Sequence, residues 1–224
     1  MRTLLTLSAL LYMLSIPLTS PAADPSTEEQ KTLYALGLAI SQSLGNFALS
    51  ESELEQVKAG ITDGVLKRPK KVELQTYGPK LQSLQQSRAA AVADGEKKAG
   101  AAFLAKAAGE AGATKTDSGI VIKTIKAGTG ATPKPADTVK VHYHGTLIDG
   151  TVFDSSVVRG EPASFGLDQV IKCWTEGVQH IKVGGKSRLV CPAGLAYGDR
   201  GAPPQIKPGA TLVFEVELLE ITKK

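Results

Sequence analysis

Two rhythms of apolar residues divide the chain. From Ser26 to about Ala111 they recur at helical spacing, and past Gly112 they alternate with a period of two. Ser26-Thr27-Glu28-Glu29 reads as a capping box that opens a first helix, which runs to about Leu44 and stops at Gly45-Asn46. Gly37, Ser41 and Gly45 fall four residues apart, so one helix face carries only small side chains. Such a face suits close helix–helix approach, either between subunits or within one chain. Ser50-Glu51-Ser52-Glu53 is a second capping box, with Leu49 and Leu54 at the staple positions, and it opens a helix bearing Leu54, Val57, Ile61 and Val65 on one side. This helix ends before Pro69. Two short amphipathic helices cannot bury both apolar faces against each other, so the helical unit 24–70 needs a larger core or a second subunit. Residues 71–113 then predict a long connecting helix with a kink or restart at Gly78-Pro79. Beyond that point Ala, Gln, Lys and Glu dominate and apolar residues are sparse (Leu81, Leu84, Val92, Phe103, Leu104), the pattern of a helix bridging domains through solvent. It would span about 46 Å at 1.5 Å per residue. No a/d heptad is sustained, which argues against a coiled coil.

The second half, 114–224, predicts strands. Ile120, Ile122 and Thr124 alternate with Val121, Lys123 and Ile125, and Val139, Val141, Tyr143 and Gly145 alternate with Lys140, His142 and His144. Period two places the first set of each run inward and the second outward. Asp149-Gly150 marks a hairpin turn before Thr151-Val152-Phe153-Asp154. Lys186 to Cys191 forms another strand, and a last, long one carries Leu212, Phe214, Val216 and Leu218 on one side. Among these strands sits Val170-Ile171-Lys172-Cys173-Trp174-Thr175-Glu176-Gly177, which reads as a single helical turn with Val170, Ile171 and Trp174 on one apolar surface. Several antiparallel strands with one short helix make an α+β domain.

The first 23 residues change the picture of location. Met1-Arg2, an interrupted apolar run from Leu4 to Leu18 and the small residues Ser20-Pro21-Ala22-Ala23 read as a secretory leader cut after Ala22 or Ala23. The run is too short and too broken for a good membrane span. Charge adds little. Residues 24–114 carry eleven Lys and Arg against eleven Asp and Glu, while 115–224 carry fourteen against eleven, an excess of three. That excess does not argue for a nucleic-acid partner. The basic run Lys67-Arg68-Pro69-Lys70-Lys71 reads as a solvated loop between helices. Cys173 and Cys191 lie in the exported part, where two thiols are able to pair, but their spacing alone does not say whether they meet.

Neither metal chemistry nor covalent catalysis stands out. His142 and His144 share an outward face and read as a solvated strand surface rather than a metal clip. Three histidines, no paired catalytic carboxylates and no G-x-S-x-G argue against a hydrolase. What remains is an aromatic and aliphatic pocket with a few polar edges, and the sole tryptophan reads either as its floor or as a core residue that only packs. Four stretches carry a resemblance: Val141-His-Tyr-His-Gly-Thr-Leu, Asp149-Gly-Thr-Val-Phe-Asp-Ser, Val170-Ile-Lys-Cys-Trp-Thr-Glu-Gly and Gly194-Leu-Ala-Tyr-Gly-Asp-Arg. With Ala210-Thr-Leu-Val-Phe-Glu-Val-Glu-Leu, they resemble the FKBP-type peptidyl-prolyl cis-trans isomerases over about residues 115–222. The helical half, with Tyr34-Ala-Leu-Gly and its long helix, resembles the macrophage infectivity potentiator and FkpA group.

The resemblance implies an antiparallel half-barrel sheet wrapped on the short helix, with proline held between them. By motif, Tyr143, Phe153, Asp154, Ile171, Trp174, Tyr197 and Phe214 carry the isomerase site, with Val170, Arg159, Phe165 and Ile206 completing the substrate pocket. The Ile171 amide and Tyr197 hydroxyl would bond substrate carbonyls, Asp154 would link to Tyr143 and Arg159, and Ile206 would come from a proline-stiffened flap, 198–209. No cofactor is implied. The group implies a homodimer through residues 26–70, a periplasmic or outer-surface location in a Gram-negative bacterium, and proline-containing unfolded or exported polypeptides as substrates. It also implies macrolide inhibitor binding. A holdase chaperone with incidental isomerase activity is the alternative reading. Ala163 replaces a common aromatic, and Ala202-Pro203 occupies a region where some members carry a histidine, both of which imply a more open pocket. Cys173 and Cys191 occupy positions that lie close together in the family fold, so the resemblance implies a disulfide between them, with a buried pair of free thiols as the alternative.

Overall fold

The computed structural model describes residues 24–222. The expected leader lies outside them. Ile40 closes one compact unit and Ser41 opens the second. In the first, helix α1 (Glu28–Leu44) starts one residue later than the capping box suggested. Gln30 N–H donates to Thr27 Oγ1 at 3.1 Å, and the Gln30 side-chain oxygen accepts from the Thr27 and Ser26 amides at 3.2 and 2.9 Å. The box is therefore Thr27-x-x-Gln30, because glutamine three residues past a threonine closes the same reciprocal pair. No residue of α1 is buried within the chain. Leu33, Tyr34, Leu36 and Leu38 all stand more than half exposed.

The second unit begins with the end of α1 and a 3-10 turn (Gly45–Phe47), then α2 (Glu51–Val65). Both halves of its Ser50/Glu53 capping box are made. Arg88 adds a second tie to Glu53; its hydrogen bond, then the Ser50 amide and hydroxyl, holds that carboxyl at about 2. The loop 67–71 is fully exposed. Helix α3 (Leu74–Ala108) does not restart at Gly78-Pro79 but runs through Pro79 without interruption. The residue before a helical proline normally clashes with the ring through its Cβ, and Gly78 has none.

The β domain contains β1 (Ala113–Lys115), β2 (Val121–Lys126), β3 (Thr138–Leu147), β4 (Val152–Ser155), a short helix α4 (Ser156–Arg159) and β5 (Ala163–Gly166). Then come α5 (Lys172–Gly177), β6 (Lys186–Cys191) and β7 (Leu212–Thr222). All strands pair antiparallel in the order β1-β2-β6-β7-β3-β4, with β5 also on β3. The inner face meets α5 in one apolar cluster that includes Val139, Val141, Leu189, Leu212, Val216 and Leu218. Each of these is fully buried. Thr124, expected inward, is exposed, since the strand there has run past the cluster.

Two expectations about the outer face fail together. Val121 falls in the outward set and α3 is expected as a solvent bridge, yet Val121, Val190 and Val213 are buried against Ala107, with Phe103, Leu104 and Ala108 packed around them. Few apolar residues suffice because the contact uses only the last turns of α3, and alanines allow close approach. Glu110, just past the helix, accepts from Lys123 at 2.9 Å and Arg188 at 3.0 Å, which pins this end to β2 and β6 and lowers the Glu110 pKa.

Candidate active site

A cavity of about 450 Å³ opens between the inner face of the sheet and α5. Tyr143 and Phe214 enter it from paired strands β3 and β7, Phe153 from β4 and Phe165 from β5. Val170, Ile171 and Trp174 come from the approach to α5 and its first turn, and Tyr197 from the loop after β6. These residues lie far apart in the sequence, and period-two alternation brings their side chains to one face. Gly145 makes room: a Cβ there would lie 2.7 Å from the Phe153 ring and 3.1 Å from that of Phe214.

Trp174 forms the floor. It is 4% exposed, and its ring meets Tyr143, Phe165 and Phe214 edge-to-face at centroid separations of 5.4, 5.4 and 5.3 Å. Phe153 meets Phe214 the same way at 5.5 Å. Edge-to-face geometry locks each ring against the quadrupole of its neighbour, so the cavity is walled by side chains with little freedom to collapse. The indole nitrogen is buried and bonds to no oxygen or nitrogen of the chain among the described residues. Beneath the floor, Cys173 on α5 is joined to Cys191 on β6, with Cα atoms 5.7 Å apart.

One polar corner interrupts the apolar wall. The Tyr143 hydroxyl donates to Asp154 Oδ2, and Arg159 donates to both Asp154 Oδ1 and, at 2.8 Å, the Tyr143 oxygen. Burial pushes the Asp154 carboxyl up, but the hydrogen bonds from Tyr143 and Arg159 outweigh it, and the net effect holds it below its ordinary value. Burial and then the bond to Asp154 push the Tyr143 phenol up. The bonds to Tyr143 and Asp154 raise the Arg159 guanidinium further. The corner is thus a neutral phenol, a carboxylate and a guanidinium. The Ile171 carbonyl accepts from the Trp174 and Thr175 amides, so Ile171 caps α5, where amide groups lack intrahelical acceptors. Tyr197 stands at the rim, 42% exposed.

The structure therefore gathers nine of the expected residues around the cavity: Tyr143, Phe153, Asp154, Phe165, Val170, Ile171, Trp174, Tyr197 and Phe214. Arg159 reaches it only through Asp154 and Tyr143. Ile206 does not line it. That side chain is 5% exposed, packs in the main apolar cluster and borders a second cavity on the other side of the flap. Its backbone exchanges two hydrogen bonds with Ala202, which closes the flap tip on itself. Gln169 lines the cavity and escaped the sequence reading, because a lone polar residue before an apolar run looks like any loop residue. His142 and His144 lie on the opposite strand face, their Nδ1 atoms 3.2 and 2.9 Å from the Ser156 and Ser155 hydroxyls.

Comparison with known proteins shows the family. Residues 129–219 match the family of FKBP-type peptidyl-prolyl cis-trans isomerases, and residues 29–123 match the domain amino terminal to such isomerases. The FKBP-type isomerase FkpA of Aeromonas hydrophila is 43% identical over 221 residues, covering 93% of this chain and 82% of its own. The outer membrane protein MIP of Legionella longbeachae is 34% identical over 209 residues, covering 90% and 89%. The crystal structure of FkpA from Escherichia coli superposes with a TM-score of 0.68 at 38% identity, covering 88% of this chain and 98% of that one. The chain belongs to the FKBP-type peptidyl-prolyl cis-trans isomerases, in the group that carries a helical domain ahead of the isomerase domain.

Proposed function

We propose that the ring-walled cavity over Trp174 is the isomerase site, and that it acts on proline-containing segments of exported polypeptides without covalent chemistry. Rotation about an X-Pro bond is slow because it breaks amide resonance, at a cost of about 18–20 kcal/mol. A thousandfold acceleration requires about 4 kcal/mol of stabilisation specific to the twisted state. Three features supply it. The apolar cradle holds the proline ring and disfavours the charge-separated planar amide. The Ile171 amide and the Tyr197 hydroxyl donate to carbonyls of the bound peptide, in positions that suit the rotated geometry. Asp154, kept ionised by Tyr143 and Arg159, presents a fixed negative charge that repels the carbonyl oxygen less once the amide twists and that oxygen gives up its resonance charge. The same cradle would accept a macrolide whose ring mimics the prolyl group.

The single observation that carries this reading is the floor: a buried indole held edge-to-face by three other rings beneath an open cavity. The test follows a prolyl peptide by exchange spectroscopy. Phe153→Ala and Tyr197→Ala should each lose most of the catalysed rate, and wild-type exchange equal to the blank would refute the assignment.

Residues 26–70 form a homodimer in this reading. The motivation is the apolar side of α1, exposed in the single chain, and the small-residue face at Gly37 and Gly45, where an added Cβ would touch nothing within 4 Å. Domain limits of 24–70, 71–113 and 114–224 follow from the same division. Light scattering of the exported chain should give twice the chain mass, and a variant lacking residues 24–70 should give a single mass. An envelope location, periplasmic or at the outer surface, follows from the leader-like start and from a relative described as an outer membrane protein.

A further inference from the structure

The flap that follows Tyr197 has two sides. On one, Tyr197 just before it stands at the rim of the isomerase cavity. The other faces α3 across a mostly apolar cavity of about 370 Å³, bordered by Val92 and Gly95 of the helix and by Pro203, Ile206 and Pro208 of the flap. The flap is closed on itself. Gly209 N–H donates to the Gly198 carbonyl at 2.9 Å, and Ala202 and Ile206 bond each other's backbones at 2.8 and 3.0 Å. It can therefore shift as a body without unravelling.

Helix α3 meets that body at several points. Glu96 and Lys97 are adjacent on the helix and of opposite sign, and each reaches a flap residue of the opposite charge. Lys97 Nζ lies 2.6 Å from Asp199, and Lys207 Nζ lies 3.1 Å from Glu96. Asp199 follows Tyr197 by two residues, and Lys207 follows Ile206 directly. Exposed ion pairs hold weakly, so they orient the contact rather than secure it. Close packing secures it. Ala93 is 2% exposed, and a Cβ on Gly209 would lie 2.8 Å from the Ala93 Cα. Gly100 is buried, and a Cβ there would lie 2.9 Å from the Thr211 Cβ and closer still to its hydroxyl. Thr211 is itself buried and leads into β7, which carries Phe214.

We propose that α3 is the backing wall of the flap, and that Ala93 and Gly100 are positioning residues for the isomerase reaction, acting through the placement of the flap as a body at the rim of the cavity. The helix sets how far the flap leans over the bound peptide. It therefore sets peptide affinity and not the rotation step. This inference rests on the assignment of the ring-walled cavity as the isomerase site.

A matched pair of variants of the full chain tests it. Gly95→Ala and Gly100→Ala both replace a mid-helix glycine and raise helix propensity equally. A Cβ at 95 meets nothing within 4 Å, whereas one at 100 collides with Thr211. Prolyl-peptide exchange gives kcat and kcat/KM, and Trp174 fluorescence gives peptide affinity. Gly95→Ala should match the parent. Gly100→Ala should lower kcat/KM about fivefold through weaker peptide binding, with kcat changed less than about twofold. Mere loss of stability would not produce that split. Equal kcat/KM and equal affinity in the two variants would overturn the proposal. Should Gly100→Ala fail to fold, the charge-exchanged pair E96K/K97E decides. Weaker peptide binding that is restored by adding D199K/K207E supports the backing wall, and unchanged binding overturns it. Activity retained by Phe153→Ala and Tyr197→Ala would instead refute the site. Activity lost there, with Gly100→Ala matching Gly95→Ala, would refute the backing wall alone.

Discussion

Reducing the Cys173–Cys191 bond perturbs the site from below while leaving every residue in place. The bond ties α5, which carries the Trp174 floor, to β6 across a sequence separation of 18. In the loop-closure account, freeing a loop of that length gives the unfolded chain about 3 kcal/mol of entropy that the bridged chain lacks. Both sulfurs are fully buried. Reductant added to the native protein should therefore act only as fast as the domain opens. The assay is a pair of urea titrations, with and without reductant, after equilibration through the unfolded state, read by the fluorescence of the one tryptophan. The bridged chain should be the more stable by about 3 kcal/mol. At about 1–3 kcal/mol per molar urea, its midpoint should lie about 2 M higher. Denatured chain without reductant should show no free thiol. A stability difference below about 1 kcal/mol would refute the loop-closure reasoning. Two titratable thiols would refute the bond itself.

Three further outcomes follow from the geometry. Phe103→Ala uncovers Val121, Val190 and Val213 and removes the ring beneath the Arg188 guanidinium. It should lower β-domain stability by about 2 kcal/mol in urea titration, less than a fully buried phenylalanine would, because Phe103 is only half-buried. Tyr143→Phe deletes the hydroxyl between Asp154 and Arg159 but keeps the ring contacts with Trp174 and Phe165 at 5.4 and 5.8 Å. Stability should fall by about 1–2 kcal/mol, with kcat/KM staying within about tenfold of the parent. Isomerase activity should be flat with pH between about 5 and 9. The depressed Asp154 carboxyl contributes above its unfolded value of about 4, and its contribution is lost as pH falls through the lower folded value. The raised Tyr143 phenol contributes below about 10 and is lost only as pH climbs through its still higher folded value. A bell centred near neutrality would sink the assignment of a charge corner without proton transfer.

Local chemistry was legible wherever a residue's role depends on its near neighbours. The Ser50/Glu53 box, the α2 face, the inward sets of β3, β6 and β7, and the ring residues of the cavity all follow from spacing or motif. Each is decided within a turn or along one strand. The shift of the first capping box to Thr27 and Gln30 was missed by one residue, because Ser26 and Thr27 are both able to cap and only the helix register chooses between them. Helix α3 was misread for a different reason. Its composition describes the whole length, whereas its burial depends on a few side chains meeting a sheet more than ten residues further on. Val121 looked like an outward strand residue for the same reason: alternation says which face it occupies, not whether that face is wet.

By itself the sequence determined the two-part architecture, the helical and strand periods, and the set of aromatic residues around the sole indole. Periodicity and motif are properties of the chain alone. The tertiary structure decided what covers the back of the sheet, that Ile206 packs in the main apolar cluster and borders the second cavity, and that Glu96, Lys97 and Gly100 lie against the flap and Thr211. Those facts depend on the approach of surfaces distant in sequence, and the shape that allows such an approach, including the missing Cβ of Gly100, exists only once the chain has folded.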